Sequence, residues 1–169
     1  MKRRIIVLGL FLAIIVFLSL LCNQTYPDVS SMEKKIAKEL DIDQVSIFVQ
    51  QDVDDYRFVG YVSDRDQGFA VFKQNKNGDY TFEYVKKEDK MISRVKDIFY
   101  DYYASYWVVV SHNENLKTIE SRIKYNTDSI DEIIKLEVTD NPSISISKLP
   151  EKDYEVEYCF YDKEGNLIQ

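Results

Sequence analysis

The chain has one histidine, His112, so any histidine-dependent chemistry must run through it. A nucleophilic triad would need a serine or cysteine within reach of that ring. Ser111 is its neighbour, but successive residues on a strand point to opposite faces, so the two cannot act as nucleophile and base. His112 therefore reads as a turn residue. One histidine with Cys22 and Cys159 is too small a donor set for a zinc site. Carboxylates are abundant, and a pair of them can hydrolyse a glycosidic bond. Glu155 and Glu157 share one strand face about 7 Å apart, which a solvated face explains equally well. Calcium is the least weak metal reading. Asp52, Asp54 and Asp55 cluster between two strands, and Asp64-Arg65-Asp66-Gln67-Gly68 is loosely like a calcium loop. The loop lacks the third acidic ligand and the distant glutamate, and Asp and Gly are what tight turns use anyway. No catalytic residue, cofactor or metal is expected. The densest chemical feature is aromatic: Phe99, Tyr100, Tyr102, Tyr103, Tyr106 and Trp107. Exposed aromatic side chains stack on sugar rings or anchor a protein partner, whereas buried ones make cross-strand core. Tyr100, Tyr103, Tyr106 and Trp107 are the candidate partner-binding residues.

The elements that would hold these residues begin with a distinct N-terminal segment. Lys2, Arg3 and Arg4 precede an uncharged run from Ile5 to Leu21. Seventeen helical residues rise about 25 Å, close to a hydrocarbon core of about 30 Å. The basic cluster lies before the run and no cation follows until Lys34, so the positive-inside rule puts the N-terminus in the cytoplasm and the rest outside. Residues 1–22 are expected to be a transmembrane signal anchor. Cleavage and lipidation of Cys22 are the alternatives, and the large residues around Leu21 disfavour both. Without residues 1–22 the chain has 19 basic and 29 acidic residues, a charge of −10. Such a domain repels nucleic acid and an anionic lipid surface.

Residues 23–29, with Pro27, read as a stalk before an extracytoplasmic globular domain over 30–169, with sub-lobes at 30–90 and 104–169. Ser30 and Glu33 have capping-box spacing, and Met32, Ile36 and Leu40 form one apolar stripe, predicting a helix over 31–40. From Gln44 the period becomes two. Strands are predicted at 44–49, 57–63, 69–74 and 80–86, with a tight turn at Asn75–Asp79. The helix should lie on this antiparallel meander. Residues 90–103 read as a helix or irregular crossing. Further strands are predicted at 106–111, 119–125, 132–139, 143–149 and 154–161, with a closing hairpin through Asp162–Asn166. Proline at both ends of 143–149 marks an edge strand. The fold class is α+β, mainly antiparallel β, with a C-terminal part that forms a small sandwich or continues one sheet.

The cationic anchor, Phe58-Val59-Gly60-Tyr61, Gly68-Phe69-Ala70-Val71-Phe72 and the terminal Phe160-Tyr161-Asp162-Lys163-Glu164-Gly165-Asn166 hairpin resemble uncharacterised membrane-anchored extracytoplasmic proteins of Gram-positive bacteria. The resemblance is structural and implies no functional residues. The expected function is a membrane-anchored binding or regulatory module, without enzymatic activity, for an envelope protein or cell-wall polymer. The alternatives are a carboxylate-based envelope hydrolase and an immunity-type protective protein.

Overall fold

In the computed structural model, residues 25–90, 94–101, 104–125, 132–149 and 154–168 are described. The expected anchor lies outside them. Among the described residues no helix is long and apolar enough to cross a membrane.

One helix, α1 (Val29–Leu40), opens the domain. Its N-cap is Asp28, not Ser30. The Asp28 carboxylate accepts the Ser31 N–H at 2.7 Å, and the Ser31 hydroxyl accepts the Asp28 N–H at 3.3 Å. Both residue types cap well. What selects Asp28 is the approach of the chain, because Tyr26 is already docked: its N–H reaches the Tyr80 carbonyl at 2.7 Å and its side chain is buried. Residues 26–28 are thus part of the domain rather than stalk. Glu33, freed from capping, accepts the Ile47 N–H at 2.9 Å. Asp41 ends the helix in the left-handed conformation (φ 54°).

The first sheet is the predicted meander, in order β1 (Ser46–Val53), β2 (Tyr56–Val62), β3 (Asp66–Gln74), β4 (Tyr80–Asp89). Alternation sends Val59, Tyr61, Ala70 and Phe72 toward Met32, Ile36 and Ala37 of the helix. The opposite side chains, Tyr56, Phe58, Phe69 and Val71, enter a second core. A meander buried on both faces must be covered twice, and the second cover is another sheet.

That second sheet has the order β5 (Arg94–Tyr100), β6 (Ser105–Ser111), β9 (Ser143–Leu149). The helix or irregular crossing expected over 90–103 is replaced by a strand at 94–100. Val95, Ile98 and Phe99 fit either period, and tertiary pairing decides: β6 needs a partner on this side, and residues 94–100 pair with it in unbroken register. Val95 and Phe99 then face the second core while Ile98 faces the third. β6 is central and covered on both sides, which explains why Tyr106 to Val110 are buried without alternation.

The third sheet has the order β11 (Leu167–Ile168), β10 (Glu155–Asp162), β7 (Leu116–Lys124), β8 (Glu132–Glu137). It closes the third core, where Ile119, Val138 and Phe160 meet Trp107 and Val109. The C-terminal part is therefore a sandwich, and the described residues form four layers: helix, sheet, sheet, sheet. β9 is an edge strand, as its flanking prolines predict, and the Asn141–Pro142 bond is cis.

Candidate functional site

The four candidate residues part company in the fold. Tyr106 and Trp107 are core side chains, 2% and 0% exposed, so they offer no surface to a partner. The cause is their place on a central strand, where one side chain enters the second core and the next enters the third. Tyr106 sits among Tyr56, Phe58 and Phe99, with ring centroids 5.5–6.2 Å away. Its hydroxyl donates to Asp54 at 2.6 Å, and Lys148 reaches the same carboxylate at 2.9 Å. These bonds hold the Asp54 carboxyl below its ordinary range, while burial first, and Asp54 next, push the Tyr106 phenol up. The cluster ties the β1–β2 turn to the second sheet. Tyr103 lies outside the described residues.

Tyr100 is different. It is 68% exposed at the end of β5, an edge strand. It belongs to an aromatic face built from two sheets. Trp107 stacks on Tyr158 of β10 with centroids 3.9 Å apart and planes 8° from parallel. Burial chiefly, and then the neighbouring Tyr154 and Tyr100, push the Tyr158 phenol up. The same face is cationic along β5. The Lys96 ammonium stands 5.8 Å from the Tyr158 ring and 5.7 Å from the Phe160 ring, and the Arg94 guanidinium 4.1 Å from Phe160. Burial lowers the Arg94 pKa. Trp107, Phe160 and the Tyr158 hydroxyl are buried, so what the arrangement offers outward is the Tyr100 ring on a packed aromatic support, a geometry suited to stacking. Lys96, Arg94, Tyr154 and Tyr158 were missed in the sequence. Their signal was the shared phase of Arg94-Lys96-Ile98-Tyr100 and Tyr154-Val156-Tyr158-Phe160, legible only once 94–100 is read as a strand.

Four described polar atoms are buried without a hydrogen bond inside the protein: Arg94 Nη1, Trp107 Nε1, Ser121 Oγ and Tyr158 Oη. Ser121 is the direct cross-strand neighbour of Tyr158. All four residues belong to the layer between the second and third sheets, beneath this aromatic face.

The acidic residues are spent elsewhere. Asp52 takes both ends of the Arg57 fork at 2.7 Å, which lowers its pKa. Glu120, 5% exposed, accepts from Arg122 at 2.7 Å and Lys135 at 3.0 Å, and these bonds lower its pKa too. Asp162 is held low by the Asn166 and Glu164 amides of the last hairpin. Asp64 and Asp66 line an open polar cleft of about 650 Å³ with residues 41–46 and Lys90. Among the described residues no group of three or more His, Cys, Asp or Glu side chains could hold a metal ion. Glu155 and Glu157 stand exposed on the outer face of β10. His112 lies in the turn after β6 with its ring 4.5 Å from Phe48, and burial plus Lys90 lower its pKa. Cys159 is a buried free thiol.

No protein family, curated protein or solved structure matches the chain.

Proposed function

We propose that the chain is a non-enzymatic binding or regulatory module. Residues 1–22 would hold it in the cell membrane, with the domain on the extracytoplasmic side facing an envelope protein or the wall polymer. The observation that carries this reading is Tyr100, an aromatic side chain two-thirds exposed on a rigid support. Its neighbours are fixed from below by the Trp107–Tyr158 stack and flanked by Lys96. Preorganised tyrosines of this kind dominate recognition surfaces because they bury much area for little entropy. A carboxylate hydrolase instead needs a carboxyl group kept protonated. Asp52, Asp54, Glu120 and Asp162 are each held toward the charged form. The anchored reading also implies close apposition to the bilayer. Docking on the first sheet begins at Tyr26, four positions after the end of the expected anchor at Cys22.

The test uses full-length protein in detergent micelles, immobilised and exposed to envelope extract or purified wall polymer. Retention of a specific partner by the parent chain, its loss in Tyr100→Ala and its survival in His112→Ala are the expected results. A folded Tyr100→Ala chain that captures as well as the parent would sink the reading. Loss of function in a folded His112→Ala chain would move the enzyme reading ahead. Protease added outside intact cells should degrade the domain while the mature protein keeps its N-terminus; a protected domain would refute the orientation.

A further inference from the structure

Open sheet edges invite pairing with other chains, and proteins blunt them with charges, bulges or short strands. Among the described residues, five of the six sheet edges are blunted. β1 carries a bulge between Ile47 and Val49, and the Glu33 carboxylate occupies the Ile47 N–H. β4 ends in Lys86-Lys87-Glu88-Asp89, β5 carries Arg94, Lys96 and Asp97, and β8 carries Glu132, Lys135 and Glu137. β11 has two residues. The sixth edge, β9, runs Ser143-Ile144-Ser145-Ile146-Ser147 with no charge until Lys148, and it pairs with β6 in unbroken register.

This edge, guarded only by the flanking prolines and by Lys148 near its end, opens into a groove. A depression of about 360 Å³ is walled by residues 49–51 of β1, residues 136–140 of β8 and its extension, and residues 142–146. That volume lies in the range of about 300–1,000 Å³ typical of ligand sites. The walls differ in chemistry. Val49, Ile144 and Ile146 give an apolar side, and Thr139, Ser143 and Ser145 a polar one. Among the described residues of the lining, Glu137 and Asp140 alone are charged.

We propose that β9 accepts an extended polypeptide segment as an added antiparallel or parallel strand, and that the segment carries lysine or arginine near its ends. Main-chain hydrogen bonds to the free edge would supply affinity. Side chains of the added strand alternate between the Ile144–Val49 wall and the Ser143–Thr139 wall, so small apolar residues should alternate with hydroxyl residues. Glu137 and Asp140, on a domain of charge −10, select a cationic segment and reject an acidic one. This surface is independent of Tyr100.

The experiment uses the full-length chain in detergent micelles. The probe is a blocked synthetic octapeptide in which valine and threonine alternate between two terminal lysines. Its affinity is measured by fluorescence anisotropy, and its location by slowed amide exchange. Saturable binding is expected, with new protection confined to residues 143–149. N-methylation of the peptide at one set of alternate residues should abolish binding and at the other set should be tolerated, because only alternate N–H groups face the edge. Glu137→Gln and Asp140→Asn should each weaken binding roughly two- to five-fold, the scale of exposed ion pairs. A peptide with terminal glutamates should not bind. The proposal is overturned by no binding at millimolar peptide, by equal tolerance of both methylation sets, by protection at a different edge, or by a second copy of the chain pairing through β9 in place of the peptide.

Discussion

Gly68→Ala is the sharpest test of the packing described above. Gly68 lies on β3 opposite Tyr61 and Lys87. A Cβ placed there would stand 1.8 Å from the Lys86 carbonyl oxygen, 2.9 Å from its carbon and 2.8 Å from the Tyr61 hydroxyl. The first two are backbone atoms, so no rotamer change relieves them. β4 must withdraw by roughly 1.5 Å or more to restore ordinary contact. That withdrawal breaks the Tyr61 hydroxyl bond to the Lys86 carbonyl, now 3.0 Å. Tyr61 is 0% exposed, so its orphaned hydroxyl costs about 1–3 kcal/mol. Overpacking adds about 1–3 kcal/mol, and alanine returns about 0.5–1 kcal/mol of backbone entropy relative to glycine. The expected net loss is about 3–4 kcal/mol, a large share of a domain stability of about 5–15 kcal/mol. Gly60→Ala is the control. Its Cβ meets the Val49 methyl at 2.7 Å and the Phe48 ring at 3.0 Å, both side chains that can turn aside. It should cost about 1 kcal/mol, the low end of overpacking. The assay is guanidinium unfolding of the full-length protein. Fluorescence of Trp107, the chain's one tryptophan, and far-UV circular dichroism serve as independent probes. A Gly68→Ala midpoint no further from the parent than that of Gly60→Ala would refute the close approach of β3 and β4.

The remaining predictions concern the cap, an ion cluster and a buried phenol. Asp28→Ala should cost about 0.5–2 kcal/mol and Ser30→Ala less than about 0.5 kcal/mol; the reverse order in denaturant midpoints would move the cap. Glu120 has its pKa depressed on folding, so its stabilisation is present at neutral pH and lost as pH falls below the ordinary carboxylate range, about 4. Glu120→Gln should lower stability at pH 7 and flatten the decline seen on acidification; an unchanged acid limb would show that other carboxylates govern it. Tyr158→Phe removes a buried hydroxyl without a partner in the protein. It should leave stability unchanged or raise it by up to about 1 kcal/mol, and a loss above about 1 kcal/mol in calorimetry would reveal a partner for that oxygen.

Local pattern made most of the strands legible. Alternation pointed to β1, β8, β9 and β10, and Asn75–Asp79 set its turn, because a half-buried strand and a tight turn impose residue choices within a few positions. The β9 edge was legible from Pro142 and Pro150 for the same reason. Residues 94–100 were not, since Val95, Ile98 and Phe99 satisfy a helical stripe as well as a strand whose two faces are both covered. Only the pairing with β6 separates the two. Ser30 and Asp28 are rival caps of similar quality, and the docking of Tyr26 on Tyr80 of β4, 54 positions along the chain, chose between them.

The candidate site divides along the same line. The sequence by itself determined the apolar cationic N-terminal segment, the acidic remainder, the lone histidine and an aromatic tract around Tyr100, since these are matters of composition and short spacing. Which aromatic faces water is a question of layers. Tyr106 and Trp107 sit on a strand enclosed between two sheets, so both directions of the pleat lead into core. Tyr100 escapes because β5 is an edge, and Tyr158 joins it from 58 positions along the chain. No local pattern encodes sheet order or the stacking of one sheet on another. Those follow from the burial of both faces of β3 and β6, which only the folded chain can satisfy together.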